Sequence, residues 1–289
     1  MAGTTPRWLL ALGLLGSLSA HAASPVWAIR GAHNTVYLAG SVHLLRAADA
    51  ALPPGFALAY RHSARLVMEL DLGNLEPLEA ADWMLQHGTL PEGTSLRGVL
   101  GEARYQRVSA AGAGLGLPAG AFDREAPWVV GLQLAELQYA HLGFDPEQGV
   151  EEQLVRRAQQ DHKPTAGLES VADELGVFER MSPAEQARFL EMVVEELHDT
   201  ENDLQPILDA WRGGDAARLA VLLAREYDSF PTLNRALVTE RNRHWVPEIE
   251  QLLTGGEDCL VVVGALHLVG EGGLLEALRK DGFTPVELD

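Results

Sequence analysis

The chain has 289 residues, a net charge of −19, 47% apolar residues and 22% charged ones. That apolar share supports a packed core and excludes global disorder, and the length suits one large domain or two small ones. The charge excludes nucleic acid and anionic lipid as partners, since both need a basic face. The single cysteine, Cys259, excludes an intrachain disulfide and reads as a small buried hydrophobe.

The first segment reads as an export signal. Arg7 is followed by an apolar run from Trp8 to Leu18 and by Ala20-His-Ala22, a small-x-small cleavage pattern. Residues 1–22 are the expected signal peptide and residues 23–289 one α/β domain. The expected location is the periplasm or outside the cell, with no membrane span in the mature chain.

Val26-Trp-Ala-Ile-Arg30 and Thr35-Val-Tyr-Leu-Ala39 flank Gly31-Ala-His-Asn34, which predicts a β-hairpin with His33 solvated in its loop. Val36 to Ala39 continues into Gly40-Ser-Val-His43. A short helix is expected from Phe56 to Ser63 and a strand over Arg65-Leu-Val-Met-Glu-Leu70. Glu69 lies near the end of that strand among apolar neighbours, where a carboxylate is costly unless paired or bound. Helices are expected over Glu76–Gln86, Glu102–Ala111, Pro127–His141 and Glu147–Gln160. Lys163-Pro-Thr-Ala-Gly-Leu-Glu169 reads as a short strand with Glu169 at its end.

Residues 182–253, about, form the expected helical segment. Ser182-Pro-Ala-Glu185 is a capping box with proline in the first turn. Glu191, Glu195, Glu196, Asp199, Glu201 and Asp203 predict a solvated anionic face. Arg241 lies in a helix running towards Leu253, either paired with His244 at the surface or reaching a pocket.

Cys259 to Val263 is an unbroken apolar run, suited to a strand buried on both faces. Gly264-Ala-Leu-His267 follows it, so the Gly-x-x-His turn after a strand occurs twice. A terminal strand is expected over Thr284–Leu288. The expected fold is α/β: a central largely parallel or mixed sheet, flanking helices, and a long helical insertion before the last strands. Open sheets of this kind place their ligands at the carboxyl ends of the strands.

Two imidazoles and one or two carboxylates there make a ligand set for a divalent transition metal, with His43, Glu69 and His267 as the ligands. Such a metal polarises a carbonyl or activates a water. A metal-free site is the other option: His43 or His267 as base, a glutamate orienting it, and Arg241 holding an oxyanion. The residues leave both open. His-Glu-x-x-His, Gly-x-Ser-x-Gly and Cys-x-x-Cys are all missing from the sequence.

Several segments in order carry a family resemblance. They are Trp27-Ala-Ile-Arg30, Val36-Tyr-Leu-Ala-Gly-Ser-Val-His43, Leu52-Pro53, Leu66-Val-Met-Glu-Leu-Asp71, Gly167-Leu-Glu-Ser170, Glu240-Arg-Asn242 and Val261-Val-Val-Gly-Ala-Leu-His-Leu-Val-Gly270. Together they resemble the TraB/GumN family, related to the Tiki proteins. The resemblance implies an α/β fold with both Gly-x-x-His turns at one site. It also implies a metal-dependent hydrolase, peptidase-like; the expected substrate is a peptide or small molecule and the expected metal Mn, Co or Zn. His43, Glu69, Glu169, Arg241 and His267 are the residues carried over. Gly149-Val-Glu151 departs from the Gly-Val-Asp of similar proteins. Capture of haem, metal or peptide without turnover is the alternative, because relatives on this fold differ in chemistry.

Overall fold

The computed structural model describes residues 24–197, 200–227 and 230–288. The expected signal peptide lies outside them. The strands are β1 (Val26–Arg30), β2 (Thr35–Ser41), β3 (Leu45–Arg46), β4 (Arg65–Met68), β5 (Phe144–Asp145), β6 (Thr165–Gly167), β7 (Cys259–Gly264) and β8 (Val286–Glu287). Six of them form one mixed sheet in the order β6-β4-β7-β2-β1-β8. Its β6, β4, β7 and β2 run parallel, while β1 runs antiparallel to both β2 and β8. The remaining pair, β3 and β5, forms a small ribbon beside it.

The valine run makes β7 the middle of this sheet. Every residue from Cys259 to Gly264 is buried. Side chains alternate between faces with the period of a strand. Tyr37, Ala39, Leu66, Met68, Leu260 and Val262 pack in one cluster, under the helices Pro54–His62 and Val150–Gln160. Val36, Leu38, Val67, Val261 and Val263 pack in another, under Arg241–Thr254 and Leu274–Lys280. Each fully buried Val or Leu contributes about 1.5–3 kcal/mol.

A third cluster contains Leu96, Trp128, Leu134, Phe178, Phe189, Leu190 and Leu233, and no strand residue. It belongs to helices that include Glu102–Gly114, Pro127–His141, Val171–Glu179 and Pro183–Glu196. The helical layer therefore begins well before residue 182. The capping box at Ser182 forms as expected, and a second closes between Ser170 and Asp173.

Several element ends shift by a few residues. The helix expected over Glu102–Ala111 runs on to Gly114, because glycine weakens a helix by only about 1 kcal/mol and need not end it. The helix expected from Glu147 starts at Val150, after a single 3-10 turn over Pro146–Gln148. On the acidic stretch, Glu191 is not merely solvated: it pairs with Arg104 at 3.0 Å and with Arg107 at 2.5 Å. Asp199 and the side chains of Glu201 and Asp203 are outside the described residues. Among the described residues no helix is long and apolar enough to cross a membrane.

Candidate active site

All four parallel strands deliver a site residue at their carboxyl ends. In sheet order these are Glu169 after β6, Glu69 after β4, His267 after β7 and His43 after β2. Register explains the convergence. Met68 pairs with Gly167 and Ser41 with Gly264, so the strands end nearly level. The chain after β6 stays clamped to its neighbour, since the amides of Leu168 and Glu169 both donate to the Glu69 carbonyl at 3.0 Å. The two Gly-x-x-His turns differ by one residue in this register, because Gly40 faces Val263 while Ser41 faces Gly264.

Gly264 marks the centre. A Cβ built there would lie 3.3 Å from Glu69 Oε1, 3.5 Å from His43 Nε2 and 3.6 Å from His267 Cδ2. The absent side chain is the space in which these three groups meet. The Gly264 amide also donates to Glu69 Oε1 at 2.6 Å, which fixes the carboxylate over the strand end.

His267 is buried at 4% exposure. Its Nδ1 lies 2.8 Å from Asn242 Oδ1. The Asn242 amide nitrogen donates to the carbonyls of His267 (3.1 Å) and Gly272 (2.9 Å), so its oxygen must be the acceptor. The proton of the neutral imidazole is thereby placed on Nδ1, and the Nε2 lone pair faces Arg241 Nη1 at 3.3 Å. Burial is the main cause that lowers the His267 pKa to about 4, and the Arg241 charge acts the same way. Trp245 packs on the ring at a centroid distance of 4.5 Å.

His43 has the opposite character. Its Nδ1 lies 2.8 Å from Glu151 Oε1, and 63% of its side chain is open to solvent. The Glu151 carboxylate raises the His43 pKa well above the usual imidazole range, with water screening part of the attraction. Glu151 also accepts from the Ser41 hydroxyl. It is brought there by the helix Val150–Gln160, whose Val150 amide donates to the Val42 carbonyl at 3.1 Å. A Cβ at Gly149 would overlap the His43 carbonyl, so glycine is what lets this helix start so close. Glu151 thus holds one of the two histidines.

Arg241 reaches the interior and does not pair with His244. It follows a π-helical segment, Arg235–Glu240, and begins the helix Arg241–Thr254. Its guanidinium bridges Glu69 and Glu169, with Nε 3.0 Å from Glu169 Oε1, and its Cζ lies 4.7 Å above the Trp245 ring. Its Nη1 contacts the Leu237 carbonyl at 3.2 Å as well as His267. Every guanidinium nitrogen is engaged, and none is left to hold an oxyanion. The Arg241 charge divides unequally between two carboxylates. Burial raises both, but for Glu69 the surrounding positive charges and the Gly264 amide prevail and bring it to about 2. Glu169 stays raised, with burial the largest cause.

A pocket of about 200 Å³ opens beside His43 and Glu69, walled by Met68, Leu70, Leu72 and Pro146 and by Glu151, Glu152 and Glu174. Glu174 lies in the helix Val171–Glu179. Burial, then the Glu69 charge, raises its carboxyl to about 7. Nothing in the sequence singled out Glu174, since helical spacing does not say which turn faces a cleft. Asn242 and Glu151 carried a signal, as members of the Glu240-Arg-Asn242 and Gly149-Val-Glu151 segments.

The donor set suits a divalent cation. Both histidines commit Nδ1 to a side-chain acceptor, so Nε2 of each and an oxygen of Glu69 would be the atoms to ligate one. The set is not drawn in to ligand distances: among the described residues no three His, Cys, Asp or Glu side chains are grouped to hold a metal as they stand. Arg241 is the cation at Glu69 and His267 in this arrangement.

Sequence comparison shows the family. The chain belongs to the TraB/PrgY/gumN family, whose model matches residues 25–287. It is similar to the protein described as Uncharacterized protein YbaP of Escherichia coli K12, at 25% identity over 243 residues, covering 84% of this chain and 87% of that one. The Shigella flexneri YbaP matches to the same extent. An uncharacterized protein of Treponema pallidum (strain Nichols) is 23% identical over 290 residues, covering 94% of this chain and 85% of its own. No solved structure matches the chain.

Proposed function

We propose that this protein is an exported, metal-dependent hydrolase of peptidase type. The observation that carries the reading is the shared orientation of two histidines. Each gives its Nδ1 proton to a fixed acceptor, Glu151 or Asn242, and each brings its ring to the space above Gly264 beside Glu69. Outer-shell acceptors of this kind orient imidazole ligands and set their tautomer. The metal-free alternative needs a free guanidinium, and Arg241 has none to spare.

His43, on giving up its Nε2 proton, and His267 would hold the metal through Nε2 and Glu69 through Oε1. A bound divalent ion would lower the pKa of a water and polarise a carbonyl. The chain's own groups do the rest. Glu151 keeps a proton on His43 Nδ1, Asn242 keeps one on His267 Nδ1, and the Gly264 amide steadies Glu69. Trp245 shields His267 from water. Arg241 holds Glu69 at the strand end through their ion pair and must let go of His267 Nε2 for that atom to ligate.

The test is hydrolysis of a mixed peptide pool by the mature protein with Mn²⁺, Co²⁺ or Zn²⁺, read by mass spectrometry beside a chelator control. Metal-restored cleavage that His267→Ala abolishes is the expected result. A metal-loaded protein that leaves every peptide intact overturns turnover and leaves capture of metal, haem or peptide. Cleavage unaffected by the chelator overturns the metal.

A further inference from the structure

The pocket beside His43 has a polarity that the hydrolytic site does not explain. Its carboxylates fall into two sets. Glu69 and Glu151 are partnered, by Arg241 and by His43. Glu152 and Glu174 also line it, and neither has an ion-pair or hydrogen-bond partner among the described residues. Both are partly buried, so each loses hydration without a direct ion pair, and on Glu174 the Arg241 and His43 charges act only through space. A second observation is independent of these two. Glu151 is only 7% exposed, and its Oε2 has no hydrogen-bond partner. The pocket therefore presents carboxyl groups, Glu152 and Glu174, that the protein itself does not pair.

The rest of the wall is apolar: Met68, Leu70, Leu72 and Pro146. At about 200 Å³ the space is below the 300–1,000 Å³, about, of pockets that hold drug-sized ligands, and it matches a single side chain. An apolar barrel with unpaired carboxylates suits a group with an aliphatic stem and a cationic head.

We propose that this pocket is a specificity subsite for a basic side chain of a peptide, lysine or arginine, with Met68, Leu70, Leu72 and Pro146 around the stem and Glu174 and Glu152 on the cation. The inference rests on the peptidase reading for its substrate class, and it deepens that reading. His43 and Glu69 line the same pocket, so a side chain seated there brings its own backbone to the proposed reaction centre. The chain's charge of −19 draws the same substrates towards the surface. Discrimination follows from removing the cation: a norleucine fills the barrel but leaves both carboxylates unpaired.

The experiment has two arms. In the first, kcat/KM is measured with metal-loaded protein on peptide pools that share a fixed Lys, Arg, norleucine or Glu. In the second, binding of 1-aminohexane and of 1-hexanol is compared by ligand-observed NMR, which needs no turnover. Expected are a preference of at least roughly tenfold for Lys or Arg over norleucine, about 1.4 kcal/mol, and tighter binding of the amine than of the alcohol. Both should weaken in high salt. Glu174→Gln should collapse both ratios, Glu152→Gln should reduce them, and melting curves should show both variants folded. Amine selectivity without any cleavage keeps the subsite and sinks the peptidase reading. Cleavage without basic preference does the reverse. Equal binding of amine and alcohol, or a preference that survives the Glu152→Gln, Glu174→Gln double variant, overturns the subsite.

Discussion

Asn242 Oδ1 accepts the Nδ1 proton of His267 at 2.8 Å, and the two Asn242 amide hydrogens are spent on the backbone of the same loop. One side chain thus ties the helix Arg241–Thr254 to the second Gly-x-x-His turn and sets which ring nitrogen faces the site. Asn242→Leu should lower metal affinity about 10–100-fold, the usual effect of losing an outer-shell partner. Metal titration of the wild type and the variant, both first shown to be folded by circular dichroism, checks it. An unchanged affinity would separate Asn242 from the site.

His43 and His267 should behave as one unit. Metal at roughly a hundred times its dissociation constant should raise stability by about 2.7 kcal/mol. His43→Ala and His267→Ala should each remove most of that increment, and the double variant little more than either. Melting curves with and without metal read the outcome. Simple addition of the two losses would mean two separate sites.

Arg241 is the counter-charge of two buried carboxylates. Arg241→Leu leaves both without it and should cost about 3–5 kcal/mol, the range for breaking a buried pair from one side. Glu69→Gln and Glu169→Gln keep one carboxylate on Arg241, so both should fold. Each should nevertheless lower activity at least roughly tenfold, about 1.4 kcal/mol in the transition state. Urea unfolding and kcat/KM decide between these effects. A fully stable Arg241→Leu variant would contradict the pairing.

Gly264→Ala puts a methyl 3.3 Å from Glu69 Oε1 and 3.5 Å from His43 Nε2. That is tight contact without outright overlap, and overpacking of this sort costs about 1–3 kcal/mol. The variant should fold with a lowered melting midpoint and lose metal binding. Binding at wild-type strength would place the metal elsewhere.

Acid stability has an identifiable contributor away from the site. Asp49 pairs with Arg46 at 2.7 Å and with Arg212 at 2.8 Å. Burial alone would raise its pKa, yet the two arginines prevail and the net shift is downward. A folded-state pKa below the unfolded one adds stability above the ordinary carboxylate pKa of about 3.9, and that stability is lost as pH falls through the folded value. The unfolding midpoint of wild type should therefore drop below about pH 4 more steeply than that of Asp49→Asn. Parallel curves would rule Asp49 out as a contributor.

Local pattern was enough for much of this protein. The valine run at Cys259–Val263 defines a central strand because only burial on both faces accommodates it. A strand that ends in Gly-x-x-His announces its site from within one short segment, and Glu69 and Glu169 at strand ends follow the same logic. What the sequence by itself determined is therefore the six strands of the main sheet, the residues at their carboxyl ends and the fold class, while the short β3–β5 ribbon, two residues a strand, was too short to show a pattern. Tertiary structure alone decided how those residues are partnered. Arg241 had two open fates, and the packing of its helix over β2 sends it to Glu69 and Glu169. Glu151, Asn242 and Glu174 come from helices whose facing depends on how they dock, here through Gly149 against the His43 carbonyl and Asn242 against the His267 loop. The titration behaviour was hidden for the same reason: the two histidines share one motif, but burial pushes the His267 pKa down while the neighbouring Glu151 carboxylate pushes that of His43 up. A motif specifies which residue stands at a strand end, whereas its chemistry depends on charges and solvent access that segments distant in sequence supply.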